Sequence, residues 1–513
     1  MAGARVTTDS PIAEFKRTAL PRALLVLLVV STFARLALAG LLDLGQDEAY
    51  ALAVSRPFQW SFFDHPPMAF WLAGLMQAVF GREVAPILLR LPFVLMFTVS
   101  TWAMFALTRR FHGERAGILA AGFLTAAPFF FASAGGWVVP DGPLVLFLLL
   151  AAICLVRVLE SCAHPRPWRD WLLAGLFLGL ALLSKYQAVL AAVGALALLL
   201  TPAHRYWLRR PHPYVAAGLA LLLFSPVLVW NAQNNWVSFA FQLGRGGGTP
   251  HLDLVEPLIL VAGEAVYLLP WTLIGLVVAG AASPRRPGGL CCLALGLPAI
   301  VIFNVLPFMG SAGLPHWAMP GWLFLFPALG GRLATAAAAG GRWPRILAWA
   351  SGLAMAAIAL AGVALVSNWR LYAGNADINH ALVEATSWTG VRDGLAARGL
   401  LERPNTFLAA TSWLDGAHMA EALRPASPPV VFGADPRGFA FVQNPNAHLG
   451  EDALFVVSPE LADAVRHFAQ TVFAKVEEVG TFTTSKGGQP AYAHVVLLAH
   501  DFRTPVPVPY GLK

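Results

Sequence analysis

The chain contains little charge, and this scarcity limits the classes of protein to which it can belong. Only 12% of its 513 residues are charged, whereas 57% are hydrophobic. Soluble globular domains carry about 25% charged residues. The composition therefore excludes an ordinary soluble enzyme and indicates a polytopic membrane protein.

The sequence also lacks a basic stripe and an informative cysteine pattern. Its formal net charge of +7 comes from arginines in short loops between apolar runs. Orientation in a bilayer explains that distribution, so nucleic-acid binding is not predicted. The four cysteines follow no metal or disulfide spacing and carry no information on function; they are Cys154, Cys162, Cys291 and Cys292.

Eleven apolar runs are candidates for membrane-spanning helices, which need about 20 apolar residues. The first run has an apolar core longer than that of a cleaved signal peptide, and we interpret it as a retained helix. The predicted spans are 23–42, 84–107, 115–134, 143–159, 171–184, 187–202, 214–230, 257–280, 290–308, 319–336 and 345–367.

The run from Trp171 to Leu200 contains Lys185 and is compatible with one long helix or with two short helices that break at Ser184 to Tyr186. With two helices, the basic residues of the amino terminus and of five later loops all lie on one side of the membrane, as the positive-inside rule requires. We therefore predict two helices, eleven spans and a cytoplasmic amino terminus. The predicted periplasmic loops are 43–83, 135–142, 231–256 and 309–318.

From about Asn368 the charge density rises and the apolar runs shorten. Five segments have the length and pattern of strands, and helices are predicted at 415–423 and 459–473. The predicted fold is a polytopic α-helical membrane domain, residues 1–367, followed by a soluble α/β domain on the periplasmic side, residues 368–513. The strand segments are NTFLAAT, PPVVFGA, DALFVVS, EEVGTFTT and YAHVVLLAH.

Ionisable side chains from four separate loops lie at the predicted periplasmic face. Taken singly, these groups also have ordinary explanations, such as a solvated loop, a helix cap or an interfacial histidine. Arg35 and Arg90 lie near the same face, where they would pair with the acids or with a lipid phosphate. The loop residues are Asp47, Glu48, Asp64, His65, Asp141, Lys185 and His316.

Lys185 is the most informative isolated charge. Only five of the 35 basic residues are lysines, and Lys185 is the one lysine of the membrane portion beyond the amino-terminal tail. Ionisable groups within apolar sequence are costly and usually face a cavity or a partner, although snorkelling to the headgroups is the alternative. We favour an ammonium directed at an anionic headgroup such as a phosphate.

Acids and cations at one membrane face are suited to an enzyme that takes a polar group from a lipid-linked anionic donor. A carboxylate would act as general base, and cations would stabilise the departing phosphate. A transporter or channel remains open on these residues alone. No required metal is predicted, although Asp47, Glu48, His65 and Asp141 are ligand types that a divalent ion accepts.

Six motifs carry a resemblance to a known superfamily: DEAYA after the first span, FFDHPPMAFW, VVPDGPL, GLALLSKYQAVL, VWNAQNNWVSF and LPHW. Over Leu20 to Pro327 the chain resembles the lipid-carrier glycosyltransferases of the GT-C superfamily. Within it, the chain is similar to the protein O-mannosyltransferase-like branch, which includes the bacterial transferase that adds aminoarabinose to lipid A.

The resemblance implies a sugar donor linked to polyprenyl phosphate and transfer at the periplasmic face. His65 departs from the lysine that aminoarabinose transferases carry in this motif, so the resemblance does not identify the sugar. We assign catalysis to Asp47, Glu48 and Asp141, donor-phosphate binding to Lys185, His65, His316 and Arg90, and substrate contact to Tyr50, Asp64 and Tyr186.

The predicted function is an inverting glycosyltransferase of a bacterial inner membrane, in contact with membrane lipids. Its predicted acceptor is lipid A or lipopolysaccharide core, ahead of protein. A protein O-glycosyltransferase, a sugar-lipid flippase and an inactive binding or assembly protein are the alternatives. The large outer domain and the lack of a detectable inverted repeat in the sequence argue against transport.

Overall fold

The computed structural model describes residues 20–160, 165–245, 251–311, 313–367, 388–486 and 489–512. The predicted domain boundary adjoins residues 368–387, which lie outside the described residues. Parts of two predicted loops, 246–250 and residue 312, also lie outside them.

Helices occupy most of each predicted span of the membrane portion. In chain order its helices are α1 (Arg22–Leu41), α2 (Gln46–Val54), α3 (Met68–Phe80), α4 (Pro86–His112), α5 (Glu114–Thr125), α6 (Phe129–Gly136), α7 (Asp141–Leu159), α8 (Pro167–Ser184), α9 (Ala188–Leu200), α10 (His212–Gln233), α11 (Val237–Gly244), α12 (Glu256–Leu268), α13 (Pro270–Ala282), α14 (Gly289–Val305), α15 (Phe326–Ala338) and α16 (Trp343–Ser367).

The predicted break within 171–200 is confirmed. Helix α8 ends at Ser184, Lys185 has extended backbone angles (φ −155°, ψ 139°), and α9 begins at Ala188. The count of eleven spans stays a prediction. Among the described residues, six helices are long and apolar enough to cross a membrane, or up to eight if each bent pair is one span.

Two sharp bends occur in the helical portion. Helices α5 and α6 meet at 86°, and α12 and α13 meet at 101°. The second bend lies at Leu269, whose φ of 67° ends α12 directly before Pro270. The first bend lets the chain after α6 pass over the end of α2, where Val138 contacts Glu48.

A buried ion pair fixes the loop 43–83 against the membrane helices. Arg90, one turn into α4, donates from Nε to Oε1 of Glu48 over 2.8 Å and from Nη2 to Oε2 over 2.5 Å. Both side chains are almost completely buried. The remaining guanidinium donors bind the carbonyls of Ala39, Leu42 and Asp43 at the end of α1.

Glu48 also accepts two backbone hydrogen bonds. Its Oε2 accepts from the N–H of Gly45, which caps α2, and its Oε1 accepts from the N–H of Val138, each over 3.0 Å. A glutamate three residues after the cap is the usual partner in a capping box. We name this arrangement the Glu48–Arg90 brace, since it joins α1, α2, α4 and the segment after α6.

The carboxyl-terminal domain contains a five-stranded sheet, and each predicted strand segment overlaps one of its strands, although β4 and β5 extend beyond their segments at both ends. The spatial order is β2-β1-β3-β5-β4; β1 is parallel to β2 and β3, whereas β5 is antiparallel to β3 and β4. The elements are α17 (Thr389–Ala397), β1 (Thr406–Ala410), α18 (Trp413–Leu423), β2 (Val430–Val431), β3 (Asp452–Val457), α19 (Ala462–Val472), β4 (Phe473–Lys486) and β5 (Gln489–Phe502).

This domain packs directly on the segment that contains α2 and α3. Helix α18 lies against α2. Buried side chains of the segment and of the domain, including Tyr50, Phe70, Met419 and Phe439, form one hydrophobic cluster. The cluster fixes one face of the sheet domain above the Glu48–Arg90 brace, so the domain is not tethered at its linker alone.

Replacing Arg90 by leucine is expected to lower the melting temperature of the detergent-purified protein. The substitution leaves the buried Glu48 carboxylate without its counter-ion, which costs about 3–5 kcal/mol. The Arg110–Glu160 pair is a matched control because its side chains are about one-third exposed. Arg110→Leu should cost at most about 1 kcal/mol. Equal losses of thermal stability would contradict the brace.

Candidate active site

Asp47 is the exposed member of the DEAYA acid pair. It lies in the first turn of α2, where the helix dipole stabilises a negative charge, and its side chain is exposed while that of Glu48 is buried. Burial by the surrounding protein nevertheless raises the pKa of Asp47. Arg437 and Arg245 oppose this rise, whereas Glu48 and Asp141 add to it. Asp47 therefore lies at the centre of a cluster of charges.

Lys185 forms the second charged element. From the extended break between α8 and α9, its Nζ donates to Oδ1 of Asp141 over 2.8 Å, and both side chains are buried. Asp141 is the first residue of α7. The helix break and a helix start thus combine into one ion pair, and only Asp141 Oδ1 is engaged in it.

Two histidines lie beside this pair. His65 is close enough to Lys185, Asp141, Arg245 and His316 for their charges to act on it. Burial is the main cause that lowers the pKa of His65 well below its ordinary value, and Lys185 adds to it. The pKa of His316 is likewise lowered, by burial and then by Lys185 and Arg245. Both imidazoles are therefore neutral at pH 7 and available as hydrogen-bond donors.

Asp64 and Tyr50 form a separate buried pair next to Asp47. The Tyr50 hydroxyl donates to Oδ1 of Asp64 over 3.2 Å and accepts from the N–H of Gly438 over 2.9 Å. Burial raises the pKa of Asp64 to about 6, and the charge of Arg437 opposes that rise. Tyr50 thus links the membrane portion to the carboxyl-terminal domain.

The motif VWNAQNNWVSF positions the loop that carries Asp64 and His65. The Ser238 hydroxyl donates to the carbonyl of Phe62 over 3.0 Å, and the Ser238 N–H donates to Oδ1 of Asn231 over 3.1 Å. Tyr186 follows Lys185 and directs its hydroxyl toward these same serine and asparagine side chains. The motif therefore acts mainly as a support.

The structure brings most of the predicted site residues together, but the hydrogen-bonding groups of two of them are already occupied. Glu48 and Arg90 are fully occupied by each other and by backbone groups, so in this structure neither is open to a ligand. The remaining residues form hydrogen bonds with one another or lie close enough for their charges to interact. They are Asp47, Tyr50, Asp64, His65, Asp141, Lys185, Tyr186 and His316.

Two arginines of the site were missed by the sequence analysis. Arg245 ends α11 with its guanidinium 5.0 Å from the Trp317 ring and 5.6 Å from the Phe241 ring. A basic residue in a short loop on the predicted periplasmic side is an exception to the positive-inside rule, and this was a usable signal. Arg437 comes from the carboxyl-terminal domain, and no pattern in FGADPRGF distinguishes it.

Within the described part of the chain, no group of three or more His, Cys, Asp or Glu side chains is arranged to hold a metal ion. The absence of a metal requirement stays a prediction. What the cluster offers by itself is an accessible carboxylate, cationic side chains and neutral imidazole donors. That combination is suited to activating a nucleophile beside an anionic leaving group.

Gly438→Ala is expected to displace the carboxyl-terminal domain from the site. A Cβ at this position would lie 2.4 Å from the Tyr50 hydroxyl oxygen, and the Tyr50 ring is held by Phe70, Trp413 and Phe439. Limited proteolysis should therefore cleave the variant faster than wild type. Gly450→Ala is the control, since nothing lies near its Cβ, although its φ of 87° adds local strain. Equal cleavage rates of G438A and wild type would contradict the contact.

Comparisons with known proteins agree with this architecture. Residues 64–230 match the sequence model of the family described as dolichyl-phosphate-mannose-protein mannosyltransferase. No curated protein sequence matches the chain.

Among solved structures, ArnT from Cupriavidus metallidurans bound to undecaprenyl phosphate superimposes with a TM-score of 0.63 at 17% identity, covering 93% of this chain and 98% of that one. The apo state of the same protein gives 0.61 at 16% identity, covering 95% and 98%. The chain thus has the fold of ArnT, and the match of residues 64–230 to the mannosyltransferase family model agrees with the resemblance that the sequence motifs indicate.

Proposed function

We propose that this protein is an inverting glycosyltransferase that transfers a sugar from a polyprenyl-phosphate donor to an acceptor of the bacterial cell envelope. The observation that carries the proposal is an exposed carboxylate, Asp47, within reach of the charges of Arg245, Arg437 and the Lys185–Asp141 pair. The ArnT structure with the same fold contains undecaprenyl phosphate, a polyprenyl phosphate.

In the proposed reaction Asp47 takes the proton from an acceptor hydroxyl or amine. The freed oxygen or nitrogen attacks the anomeric carbon of the donor sugar on the face opposite the phosphate. The bond between that carbon and the phosphate oxygen breaks, and its electron pair leaves with the polyprenyl phosphate. One displacement inverts the anomeric configuration, and no covalent enzyme intermediate is formed.

The departing phosphate gains negative charge, which the cationic side of the site would stabilise. We assign this role to Lys185 and Arg245, with hydrogen bonds from the neutral His65 and His316. Asp141 holds the Lys185 ammonium in place through Oδ1. A neutral imidazole at position 65 contributes less charge than an ammonium would, so Lys185 and Arg245 carry more of the phosphate binding here.

Asp64, Tyr50 and Tyr186 would border the sugar or acceptor beside Asp47. In the present arrangement Glu48 and Arg90 support the loop rather than contact the substrate. We propose a multi-pass protein of the inner membrane, with the site and the sheet domain facing the periplasm. Lipid A or lipopolysaccharide core is the proposed acceptor, because both present hydroxyl and phosphate groups at that face.

Asp47→Asn is expected to reduce sugar transfer by at least about 10²-fold, since general-base catalysis contributes that much. Substitution by asparagine removes the proton acceptor and leaves the size of the side chain unchanged. The measurement is transfer by the purified protein in proteoliposomes with a polyprenyl-phosphate sugar. Asp43→Asn, just before α2, is the control. Normal turnover by a folded Asp47→Asn variant would overturn the assignment of the base.

Mass spectrometry of a deletion strain and its parent would identify the sugar and the acceptor. Loss of one sugar from lipid A or core oligosaccharide is expected. Loss from envelope glycoproteins instead would support protein O-glycosylation, which the match of residues 64–230 favours as the second candidate. Movement of a sugar-lipid across proteoliposomes without a new glycosidic bond would indicate a flippase and overturn the proposal.

No metal takes part in the proposed chemistry. Transfer by the purified protein should therefore survive exhaustive treatment with EDTA at unchanged rate. A loss of activity that Mg²⁺, Mn²⁺ or Zn²⁺ restores would contradict this, and would direct attention to the carboxylates around Asp47 as ligands.

A further inference from the structure

Among the described charged residues that act on Asp47, Arg437 is the one that belongs to the carboxyl-terminal domain. Its guanidinium lies 3.8 Å from the centre of the Trp413 ring and 5.9 Å from that of Phe241. Phe241 belongs to α11 of the membrane portion, next to Arg245. Arg437 thus occupies the junction between the sheet domain and the site.

The backbone around Arg437 is held in an uncommon conformation. Its φ is 46°, which side chains other than glycine rarely adopt, and its N–H donates to the Tyr510 hydroxyl over 3.1 Å. The next N–H, that of Gly438, donates to Tyr50 over 2.9 Å. Strained backbone persists where its surroundings determine it, so this loop is built to hold the Arg437 side chain at the site.

Asp47 needs such a neighbour for the reaction proposed above. As a general base it must be ionised, yet burial, Glu48 and Asp141 all raise its pKa. Arg437 is the strongest influence in the opposite direction, ahead of Arg245. Arg437 is also the strongest charge that opposes the raised pKa of Asp64. The carboxyl-terminal domain therefore adds a positive charge near these acids to the one that Arg245 of the membrane portion supplies.

We propose that Arg437 is a positioning residue of the transfer reaction, through which the docked carboxyl-terminal domain brings a positive charge to the site of the proposed base, Asp47. The inference rests on the proposed function, because it gives Asp47 the role of the base. It adds that the catalytic site is incomplete without the sheet domain. Productive docking at Tyr50 and Gly438 is then a condition for turnover.

The test is the pH profile of kcat for Arg437→Gln in proteoliposomes. Loss of the charge should move the acidic limb to higher pH by about half a unit to one unit, so activity on that limb falls about 3- to 10-fold and recovers at alkaline pH. Arg437→Lys should return the acidic limb of the profile most of the way to its wild-type pH. Arg403→Gln is the control, since Arg403 pairs with Asp452 at the start of β3, away from the site.

A merely structural role for Arg437 would give a different result. Activity would then fall by the same factor at every pH, and lysine would restore it no better than glutamine. Either that outcome or an unchanged profile would overturn the inference. If the wild-type protein transferred no sugar, the proposed function itself would be refuted. If Asp47→Asn were inactive but the pH profile of Arg437→Gln were not shifted, only the role of Arg437 would be refuted.

A second variant covers the case in which Arg437→Gln does not fold. Asp435 is about half exposed, and its Oδ2 lies 3.4 Å from Nε of Arg437. Asp435→Asn removes this competing negative charge, so the acidic limb should move to lower pH. An unmoved limb, or one moved to higher pH, would contradict the inference.

Discussion

The Glu48–Arg90 brace is the interaction on which the arrangement of the site depends. A carboxylate and a guanidinium buried at the edge of a membrane domain are stable only if nearly every donor and acceptor is satisfied. Here the pair itself, two backbone N–H groups and three carbonyls satisfy them. Because Glu48 lies within the first turn of α2, the same contacts determine where the neighbouring Asp47 points. One acid of the DEAYA motif is thereby a support, and the other is left accessible.

A second constraint is the irregular backbone at the opposite side of the site. An unbroken helix through 171–200 would direct Lys185 according to helical periodicity, whereas the extended residue between α8 and α9 places its ammonium on Asp141. Irregular backbone at membrane depth is tolerated where protein buries it. The site is thus assembled largely from helix ends and breaks, which bring side chains from distant segments within reach of one another.

Much of the fold was readable from the sequence, because its signals are local. Apolar runs located the helices, and alternating strand patterns located all five strands of the sheet. The break at Ser184 to Tyr186 followed from the distribution of arginines, a property of the whole chain that the bilayer imposes. Bends within α5–α6 and α12–α13 were not predicted, since a composition window registers apolar length but not direction.

The candidate site was predicted in part. Motif spacing and resemblance identified Asp47, Asp141, Lys185 and His65, but they could not separate Glu48 from Asp47, which share a motif and a charge. Arg437 could not be identified from the sequence for a different reason. It lies almost 400 residues along the chain from Asp47, and its proximity is created by the packing of α18 on α2.

The sequence by itself determined a membrane-embedded chain with a carboxyl-terminal sheet domain, and the residue types that the chemistry needs. These features depend on hydrophobicity and on short-range patterns, which act wherever the segment lies. Only the tertiary structure decided which ionisable groups pair with each other and which stay open. Electrostatic interactions depend on distance and burial in space, and neither quantity is encoded in separation along the chain.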